Sequence, residues 1–310
     1  MQRIAFTKCH GSGNDFPLID ARALDLSDTE WAVLARVFSD RTGPVGGDGI
    51  LLLTEGDDEH AFGMRMFNSD GSEAETCLNG LRCVARAGFE ALGIDAARVR
   101  LQTSSAEVAR AEAIAPGVVS VRTSARASLG IAATGPLSGL PSTRDFTAVS
   151  MPNPHLIAFV EAVNEAELVA LGAWCEAAPP LLPERANVSF VEMHGSDLFV
   201  RTYERGVGLT NACGSAMAAA VFAAGLTGRV AWGREVIVFN KGGLVRGSAA
   251  SPADGAEVTI TGNATFEWDG TIGADGSGLE VTRRRGDETA AWDAALAQIS
   301  SNNAASPPIR

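Results

Sequence analysis

This 310-residue chain is short of three features: long apolar runs, a segment that resembles a signal peptide, and runs of basic residues. No apolar run approaches the roughly 20 residues that a membrane-spanning helix needs. The chain opens with MQRIAFTKCHGSGNDF, which lacks the apolar segment and the cleavage site of a signal peptide, so we expect a cytoplasmic protein. Lys and Arg number 25 against 37 Asp and Glu, and a net charge of −12 makes nucleic acid and anionic membranes poor partners.

Cysteine is also sparse, and its number is odd. The five residues are Cys9, Cys77, Cys83, Cys175 and Cys213. A chain that is 46% apolar and this long can bury a core without disulfides or metals, so we expect reduced thiols. There is no Cys-x-x-Cys motif and no His pair at zinc-binding spacing, which disfavours a thioredoxin-type site and a metal site. Lys8 and Lys241 are the two lysines, and neither has the context of a Schiff-base residue.

Local patterns predict an α+β chain. Ser27 and Glu30 have the spacing of a capping box, and Trp31, Leu34 and Phe38 then fall on one face of a helix. Four helices are predicted, at 26–40, 77–92, 164–176 and 212–226. Strands are predicted at 3–8, 49–54, 63–68, 118–124, 146–151, 186–193, 197–204, 234–240, 244–249, 256–262 and 264–270.

One pattern occurs twice along the chain. A turn rich in glycine and acidic residues precedes Cys77, which opens a helix, and a similar turn and helix start recur at Cys213. The helix over 212–226 is rich in Ala and Gly and apolar on all sides, so protein must surround it. We therefore predict two pseudo-symmetric halves, each a curved, mostly antiparallel sheet wrapped around a central helix, with the active site in the cleft between them.

The halves can be given boundaries from these elements. The first half, with Cys77, is predicted to comprise 1–121 and 264–275, and the second half, with Cys213, to comprise 122–263. Residues 276–310 form an extension in which Trp292, Leu296 and Ile299 fall on one face of a short helix. The polar tail over 300–310 is expected to be disordered.

Two cysteines at helix starts narrow the possible chemistry. Backbone N–H groups at a helix start favour a thiolate, so we expect a lowered pKa for both thiols. Either cysteine alone is compatible with a small buried filler. A cysteine protease would leave the second cysteine unexplained, and a reducing compartment argues against a disulfide. Two thiols can serve a two-base racemase, in which one removes an α-proton and the other returns one, while the helix N–H groups hold the carboxylate.

Six motifs in a fixed order carry a family resemblance. They are KCHGSGNDF (8–16), RTGPVGGDGILLL (41–53), FNSDGSEAETCLNGLRC (67–83), MPNPH (151–155), RANVSFVE (185–192) and ERGVGLTNACGSA (204–216). From residue 3 to about residue 272 the chain resembles the diaminopimelate epimerase family. The resemblance implies cofactor-independent interconversion of LL- and meso-2,6-diaminopimelate in lysine and peptidoglycan precursor synthesis. It also implies a small-molecule substrate, no metal, and a possible homodimer.

The resemblance further implies roles for individual residues. Cys77 and Cys213 would be the acid/base thiols, and His155 and Glu204 would set their protonation. The substrate-binding residues would be Asn14, Asn68, Leu78, Asn79, Asn153, Asn187, Glu204, Arg205, Gly214 and Ser215. Backbone N–H groups are expected to make most contacts at 78, 79, 214 and 215. Amides suit both the carboxylates and the ammonium groups of diaminopimelate, and Arg205 suits a distal carboxylate.

Structural interpretations of the same residues remain open. Asn14 lies in a turn-forming sequence, and Asn153 lies between two prolines, so both amides could serve only the local backbone. His155 could be a satisfied, partly buried histidine. Glu204 and Arg205 could form an ordinary surface pair that contributes little.

The chain departs from the common family pattern at several positions. Leu78 replaces a Gly after the first cysteine, Leu209 replaces a Glu, Ser215 and Ala216 replace Thr-Gly, and Gly49 stands where some members have Gln. These changes affect the expected substrate more than the reaction type. A racemase of another amino acid, such as histidine, is the first alternative. A non-catalytic ligand-binding or thiol redox-sensing protein is the second.

Overall fold

The computed structural model describes residues 3–130, 134–151 and 153–304, with backbone alone for 298–304. The chain divides into two compact units: unit 1 is Met1–Arg122 with Gly262–Arg310, and unit 2 is Thr123–Thr261. The first predicted boundary, after residue 121, lies one residue from the observed one, and the second, after residue 263, lies two residues from it. Asn263 falls in unit 1, where its side-chain amide bonds to the backbone of Ser12 and His10.

The elements of unit 1 come from both ends of the chain. Its first part contains β1 (Arg3–Gly11), β2 (Asn14–Asp20), α1 (Asp28–Ser39), β3 (Gly49–Glu55), β4 (Phe62–Asn68), α2 (Leu78–Leu92), β5 (Ala96–Arg100) and β6 (Ser105–Ala111). The chain then passes into unit 2 within β7 (Ser120–Arg126).

Unit 2 is one continuous segment. It contains β8 (Ser128–Leu129), β9 (Gly135–Pro136), β10 (Asp145–Ser150), β11 (Pro154–Phe159), α3 (Glu165–Glu176), β12 (Asn187–His194), β13 (Asp197–Glu204), β14 (Gly208–Thr210), α4 (Gly214–Leu226), β15 (Val236–Asn240), β16 (Gly243–Ala249) and a 3₁₀ turn (Pro252–Asp254). The chain returns to unit 1 within β17 (Glu257–Asn263) and ends with β18 (Thr265–Gly273), β19 (Glu280–Arg284) and α5 (Gly286–Ala304).

The strands of unit 1 pair in the order β19, β18, β1, β2, β3, β4, β5, β6. The pairs β2–β3 and β4–β5 are parallel, and the others in this series are antiparallel. Parallel neighbours need a crossover connection, which α1 and α2 supply.

Unit 2 repeats this topology. Its strands pair in the order β10, β11, β12, β13, β15, β16, with β11–β12 and β13–β15 parallel and the remaining pairs of the series antiparallel. The crossover connections here contain α3 and α4. The predicted α+β class and the internal repeat are therefore confirmed, and the repeat includes α1 and α3 as well as the two cysteine-led helices.

Helices on both faces of the sheet explain the uninterrupted apolar sequence of β3. Ile50 and Leu52 join the core formed with Trp31, Leu34 and Phe38 of α1. Leu51, which points the other way, lies against Gly80 of α2. A strand buried on both faces reads as a continuous apolar run and does not alternate. The capping box of Ser27 and Glu30 at the start of α1 is present as predicted.

The two cysteine-led helices are the central elements of their units. In unit 1, α2 packs against β1 to β6, and in unit 2, α4 packs against β10 to β13, β15 and β16. Residues 214–224 of α4 are all buried, which small side chains permit because they let the strands approach closely. On the other side of the unit 2 sheet, Leu168, Leu171 and Cys175 of α3 build a separate core.

The C-terminal extension belongs to unit 1. Strand β19 pairs with β18, and α5 packs on β18 with Trp292 buried against His10. Helix α5 runs to Ala304, into the tail that was expected to be disordered. The side chain of Ile299 and residues 305–310 lie outside the described residues. In the described part of the chain, none of the helices combines the length and apolar character required to cross a membrane.

Candidate functional site

Cys77 is the N-cap residue of α2. Its backbone is extended, its carbonyl accepts the first helical hydrogen bond from Leu81 N–H at 2.8 Å, and its Sγ accepts from Gly80 N–H at 3.4 Å. The thiol is half-buried, whereas Leu78 and Asn79 in the first turn are buried. One of the first N–H groups of α2, that of Gly80, therefore points at this sulfur.

Cys213 occupies the same place at the start of α4. Its backbone is also extended, and its carbonyl accepts from Met217 N–H at 3.0 Å. Its Sγ lies 3.5 Å from Ser215 Oγ, and the residue is only 7% exposed. Gly214 and Ser215 form the buried first turn. The two cysteine-led helix starts thus share one backbone geometry within their separate units, while the side-chain cap hydrogen bond is described for Cys77 and not for Cys213.

The expected lowering of the thiol pKa is wrong for Cys213. Burial raises the pKa of this thiol well above its ordinary value, and the negative charge of Glu204 raises it further. Contacts with Ser215 and the Ala216 N–H lower it, but by less. The helix start therefore acts in the predicted direction, yet desolvation outweighs it. Cys213 is a protonated thiol at neutral pH.

A polar cluster in unit 2 brings three predicted residues together. His155 Nε2 lies 3.2 Å from Asn153 Oδ1 and 3.4 Å from Asn187 Nδ2. Asn187 Oδ1 accepts from the backbone N–H of Arg205 at 2.8 Å, which ties β12 to the end of β13. Pro152, which precedes Asn153, lies outside the described residues.

Glu204 and Arg205 each make their own contacts within unit 2. Glu204 accepts a short hydrogen bond from Thr210 Oγ1 and lies beside Cys213. The Arg205 guanidinium donates to Glu184 O at 3.1 Å. Both side chains are half-buried. Glu204 is the last residue of β13, and Arg205 begins the turn that follows.

A second amide cluster lies in unit 1. Asn79 Nδ2 donates to Asn14 Oδ1 at 2.6 Å, and Asn14 Nδ2 donates to Asp48 Oδ2 at 3.0 Å. Asp48 is held in turn by Arg41 at 2.6 Å. These bonds fix the orientation of Asn14 relative to the start of α2. Asn68, at the end of β4, donates to Ser72 Oγ at 3.0 Å and belongs to its own turn.

Three buried polar atoms near the predicted residues have no hydrogen-bond partner among the described residues. They are Thr76 Oγ1, Asn79 Oδ1 and His155 Nδ1. Native proteins satisfy nearly all such atoms, and exceptions concentrate where a ligand or water completes the bonding. Thr76 and Asn79 flank Cys77 in the sequence. The start of α2 and the His155 cluster therefore each keep hydrogen-bonding capacity that a ligand or a water molecule can satisfy.

Several residues of this region were not predicted from the sequence. Arg82 is a fully buried cation in α2, Ser12 and Asn263 hold its surroundings, and Thr210 holds Glu204. The one available signal was the presence of Arg82 and Arg86 in LNGLRCVARAGF, a segment otherwise suited to burial. Across residues 3–130, 134–151 and 153–304, no group of three or more His, Cys, Asp or Glu is placed to hold a metal.

Two buried histidines should make stability depend on pH. Burial is the main cause that lowers the pKa of His10 to about 4 and that of His155 to about 3. In the unfolded chain both have a pKa of about 6.5. Between pH 6.5 and 4 the unfolded chain therefore binds protons that the folded chain does not. The free energy of unfolding should fall as pH falls, by up to about 1.4 kcal/mol per pH unit for each histidine.

Urea unfolding at pH 7.0, 6.0 and 5.0 measures this dependence. His155→Gln should reduce the slope of stability against pH by up to about one proton. His194→Gln, which replaces an exposed histidine at the end of β12, is the comparison variant for the loss of a histidine outside the core. An unaltered slope in His155→Gln would contradict a neutral buried His155.

Proteins of known structure share the fold of this chain. A hydroxyproline epimerase from Agrobacterium vitis superposes with a TM-score of 0.66 at 12% identity, over 96% of this chain and 98% of that chain. A PhzF-family phenazine biosynthesis protein from Bacillus anthracis superposes with a TM-score of 0.64 at 13% identity, over 88% and 99%. At these identities the likeness shows the fold alone.

Sequence similarity identifies the family to which the chain belongs. The chain matches the family described as Diaminopimelate epimerase over residues 6–119 and 147–267. It is 38% identical to a diaminopimelate epimerase from Clostridium acetobutylicum, over 89% of this chain and 88% of the relative. It is 34% identical to that of Listeria innocua, over 96% and 98%. The chain therefore belongs to the diaminopimelate epimerase family and is an isomerase.

Proposed function

We propose that this enzyme interconverts LL- and meso-2,6-diaminopimelate without a cofactor, with Cys77 and Cys213 as the two acid/base groups. The observation that carries the proposal is the matched placement of these cysteines as N-cap residues of α2 and α4. Membership of the family and the named relatives support the substrate.

The reaction needs one thiolate and one thiol. The thiolate removes the α-proton, and the thiol returns a proton to the opposite face of the carbon, which inverts the centre. Cys213 is suited to the donor role, because burial and Glu204 raise its pKa and keep it protonated. After one turnover Cys77 is the thiol and Cys213 is the thiolate. The reverse reaction starts from this state.

The developing negative charge must also be stabilised. When the α-proton leaves, charge moves into the substrate carboxylate. Backbone N–H groups at 78 and 79, and at 214 and 215, belong to first helical turns, where N–H groups have no helical partner and favour anions. We propose that they bind this carboxylate. Fixed donors stabilise the carbanion more than the ground state, and this supports catalysis without pyridoxal phosphate.

The remaining polar residues suit recognition of the distal amino-acid end. We propose that Asn14, Asn68, Asn153, Asn187 and Arg205 bind the substrate. The unsatisfied Oδ1 of Asn79 and Nδ1 of His155 support ligand contacts at these two clusters. His155 is neutral, because burial and Arg205 lower its pKa to about 3, so it can accept or donate a hydrogen bond without carrying charge.

Leu78 and Leu209 are the departures that bear most on substrate choice. Leu78 is 4% exposed in the first turn of α2, while Leu209 is 37% exposed in β14. Since the contacts at 78 are proposed for the backbone, the larger side chain is compatible with carboxylate binding. A monocarboxylic amino acid would leave the proposed distal contacts of Arg205 unused, which favours diaminopimelate over histidine.

Incubation with LL-diaminopimelate in D₂O under reducing conditions tests the function. Deuterium should enter one α-position as the meso isomer appears, because the returned proton comes from solvent-exchanged thiol. L-Histidine is the comparison substrate and should not exchange. Exchange with histidine and not with diaminopimelate would favour another racemase on this scaffold. Absence of exchange with any amino acid would favour a ligand-binding or redox-sensing protein.

We also propose the cellular setting that the family resemblance implies. The enzyme would act in the cytoplasm, in lysine and peptidoglycan precursor synthesis, as a homodimer. The odd number of cysteines and the acidic composition support a cytoplasmic location. The fully exposed strand β19, at the end of the unit 1 pairing order, is compatible with a subunit interface.

A further inference from the structure

Arg82 is a buried positive charge without a buried negative partner. Its side chain in α2 is 0% exposed. The guanidinium donates to Ser12 Oγ at 2.9 Å, to Asn263 O at 3.0 Å and to Leu78 O at 3.4 Å. All three acceptors are neutral, and the described residues include no carboxylate at ion-pair distance. Buried arginines are normally paired with acids, so this arrangement needs a reason.

The next arginine of the same helix shows that acids were available. Arg86, one turn later, bonds to Glu90 at 2.8 Å and to Glu288 of α5 at 2.9 Å. The two arginines therefore differ in the charge of their hydrogen-bond partners. Arg86 is neutralised by carboxylates, whereas Arg82 keeps its positive charge in a dry environment next to the start of α2.

The position of Arg82 links that charge to Cys77. Its Nη1 bonds to the carbonyl of Leu78, the residue that follows Cys77, and the Cys77 Sγ accepts from Gly80 in the same turn. Burial lowers the pKa of Arg82 to about 10, so it remains charged at neutral pH, and Cys83 and Cys77 oppose that lowering. The attraction is mutual, because a thiolate that favours the cation is itself favoured by it.

Other ionisable groups in this part of unit 1 do not supply the missing charge. Lys8 of β1 pairs with Asp15 of β2 at 2.5 Å. His10 of β1 is neutral at pH 7, because burial lowers its pKa to about 4. Cys83 is buried in α2, and Asp293 of α5 and Glu75 before Cys77 are exposed. Cys77 is thus the group near Arg82 that can become a partly accessible anion.

We propose that Arg82 is a positioning residue for the reaction proposed above, which supplies the fixed positive charge that holds Cys77 as the thiolate in the resting enzyme. The proton of Cys77 is released to solvent. Unit 2 has the opposite arrangement, since Cys213 lies beside the anionic Glu204 and stays protonated. The resting enzyme therefore has an assigned base, Cys77, and an assigned acid, Cys213, set by local charges of opposite sign.

The rate of alkylation by iodoacetamide as a function of pH tests this proposal, because thiolate is the reacting form. The reaction is followed in the Cys213→Ala variant, in which Cys77 is half-buried and the other three cysteines are buried. Peptide mass spectrometry identifies the modified residue. Arg82→Gln should move the pH midpoint for Cys77 upward and slow its alkylation at pH 7 about tenfold. Arg82→Lys keeps the charge and should restore alkylation to within about threefold of the parent.

Arg86→Gln is the matched control, because it disturbs the same helix without removing the unpaired charge. In this variant the rate of Cys77 alkylation should depend on pH as it does in the parent, even if the melting temperature falls. Folded Arg82→Gln protein with the parent profile would overturn the proposal and leave Arg82 a structural residue.

A second measurement covers the case in which Arg82→Gln does not fold. Thiolate absorbance at 240 nm, recorded from pH 6 to 9 on the otherwise unaltered enzyme, should be present at neutral pH. It should be lost in Cys77→Ser and kept in Cys213→Ser. Loss in Cys213→Ser instead would overturn the assignment. Neither measurement uses a substrate, so a failure of the diaminopimelate reaction and a failure of the Arg82 assignment are distinguishable.

Discussion

Cys77→Ala and Cys213→Ala should each lower kcat for epimerisation by about 10²- to 10⁴-fold, the usual contribution of a positioned acid or base. The losses should come with complementary exchange patterns in D₂O. A variant that keeps one thiol can remove and replace the proton on that thiol's side of the carbon. Each variant should therefore exchange the α-proton of one isomer without inversion, and the two variants should prefer opposite isomers.

Cys83→Ala is the control for these variants. Cys83 is fully buried in α2, six residues after Cys77, and its loss should reduce stability without removing the chemistry. Measurement requires chiral analysis of the product together with mass spectrometry of the deuterium content. Full inversion by either single variant would exclude a two-thiol mechanism, since one side chain would then serve both faces.

Gly11→Ala should have the second large effect. A Cβ at Gly11 would lie 2.5 Å from the carbonyl oxygen of Asn79 and 3.0 Å from Arg82 Nη2. The first turn of α2 would have to move away from β1, and Cys77 would move with it. We expect a loss of about 1–3 kcal/mol in the free energy of unfolding. Because Cys77 is a proposed acid/base group, its displacement by about 1 Å should lower kcat by about 100-fold.

Two glycine variants separate displacement of the site from loss of stability. A Cβ at Gly88, further along α2, would lie 2.6 Å from the Phe62 ring, so Gly88→Ala should destabilise unit 1. Its folded fraction should retain far more activity than Gly11→Ala. Gly286→Ala has no atom within 4 Å of the added Cβ and should be neutral in both assays. Equal activity in Gly11→Ala and Gly88→Ala would show that the start of α2 tolerates displacement.

Strong local signals allowed much of the fold to be predicted from the sequence. The capping box at Ser27, the apolar face of α1 and the hairpin of β12 and β13 are all present. Each of these elements is specified by residues close together in the chain. The internal repeat was predicted from the helices that begin at Cys77 and Cys213. The order of the elements shows that the other two crossover helices, α1 and α3, repeat as well.

Weakly patterned strands could not be predicted in the same way. Strand β2 contains Pro17, and β11 begins with Pro154, and proline ordinarily argues against a strand. Strands β5 and β6 are rich in Ala and Arg and show little β-propensity. Their pairing depends on neighbours distant in sequence. The two-residue strands β8 and β9 are too short to leave a pattern.

The electrostatic surroundings of the predicted site residues could not be derived from the sequence. The sequence indicates that Cys213 begins a helix, but its burial and the position of Glu204 depend on tertiary structure. The unpaired charge of Arg82 depends on which acids are absent around it, and composition does not reveal that. The positions of Cys77 and Cys213 at helix starts follow from local sequence, which is why that part of the prediction agrees with the structure.

The pairing of β1 with β18 has a consequence during protein synthesis. Arg3 lies opposite Gly273, so the two strands leave the ribosome about 270 residues apart. At roughly 5 to 20 residues per second, about 15 to 55 s separate their emergence. All of unit 2 is translated in that interval and forms a contiguous piece that can fold first. One edge of β1 stays open in the nascent chain meanwhile, which makes this edge the expected point of chaperone contact or aggregation.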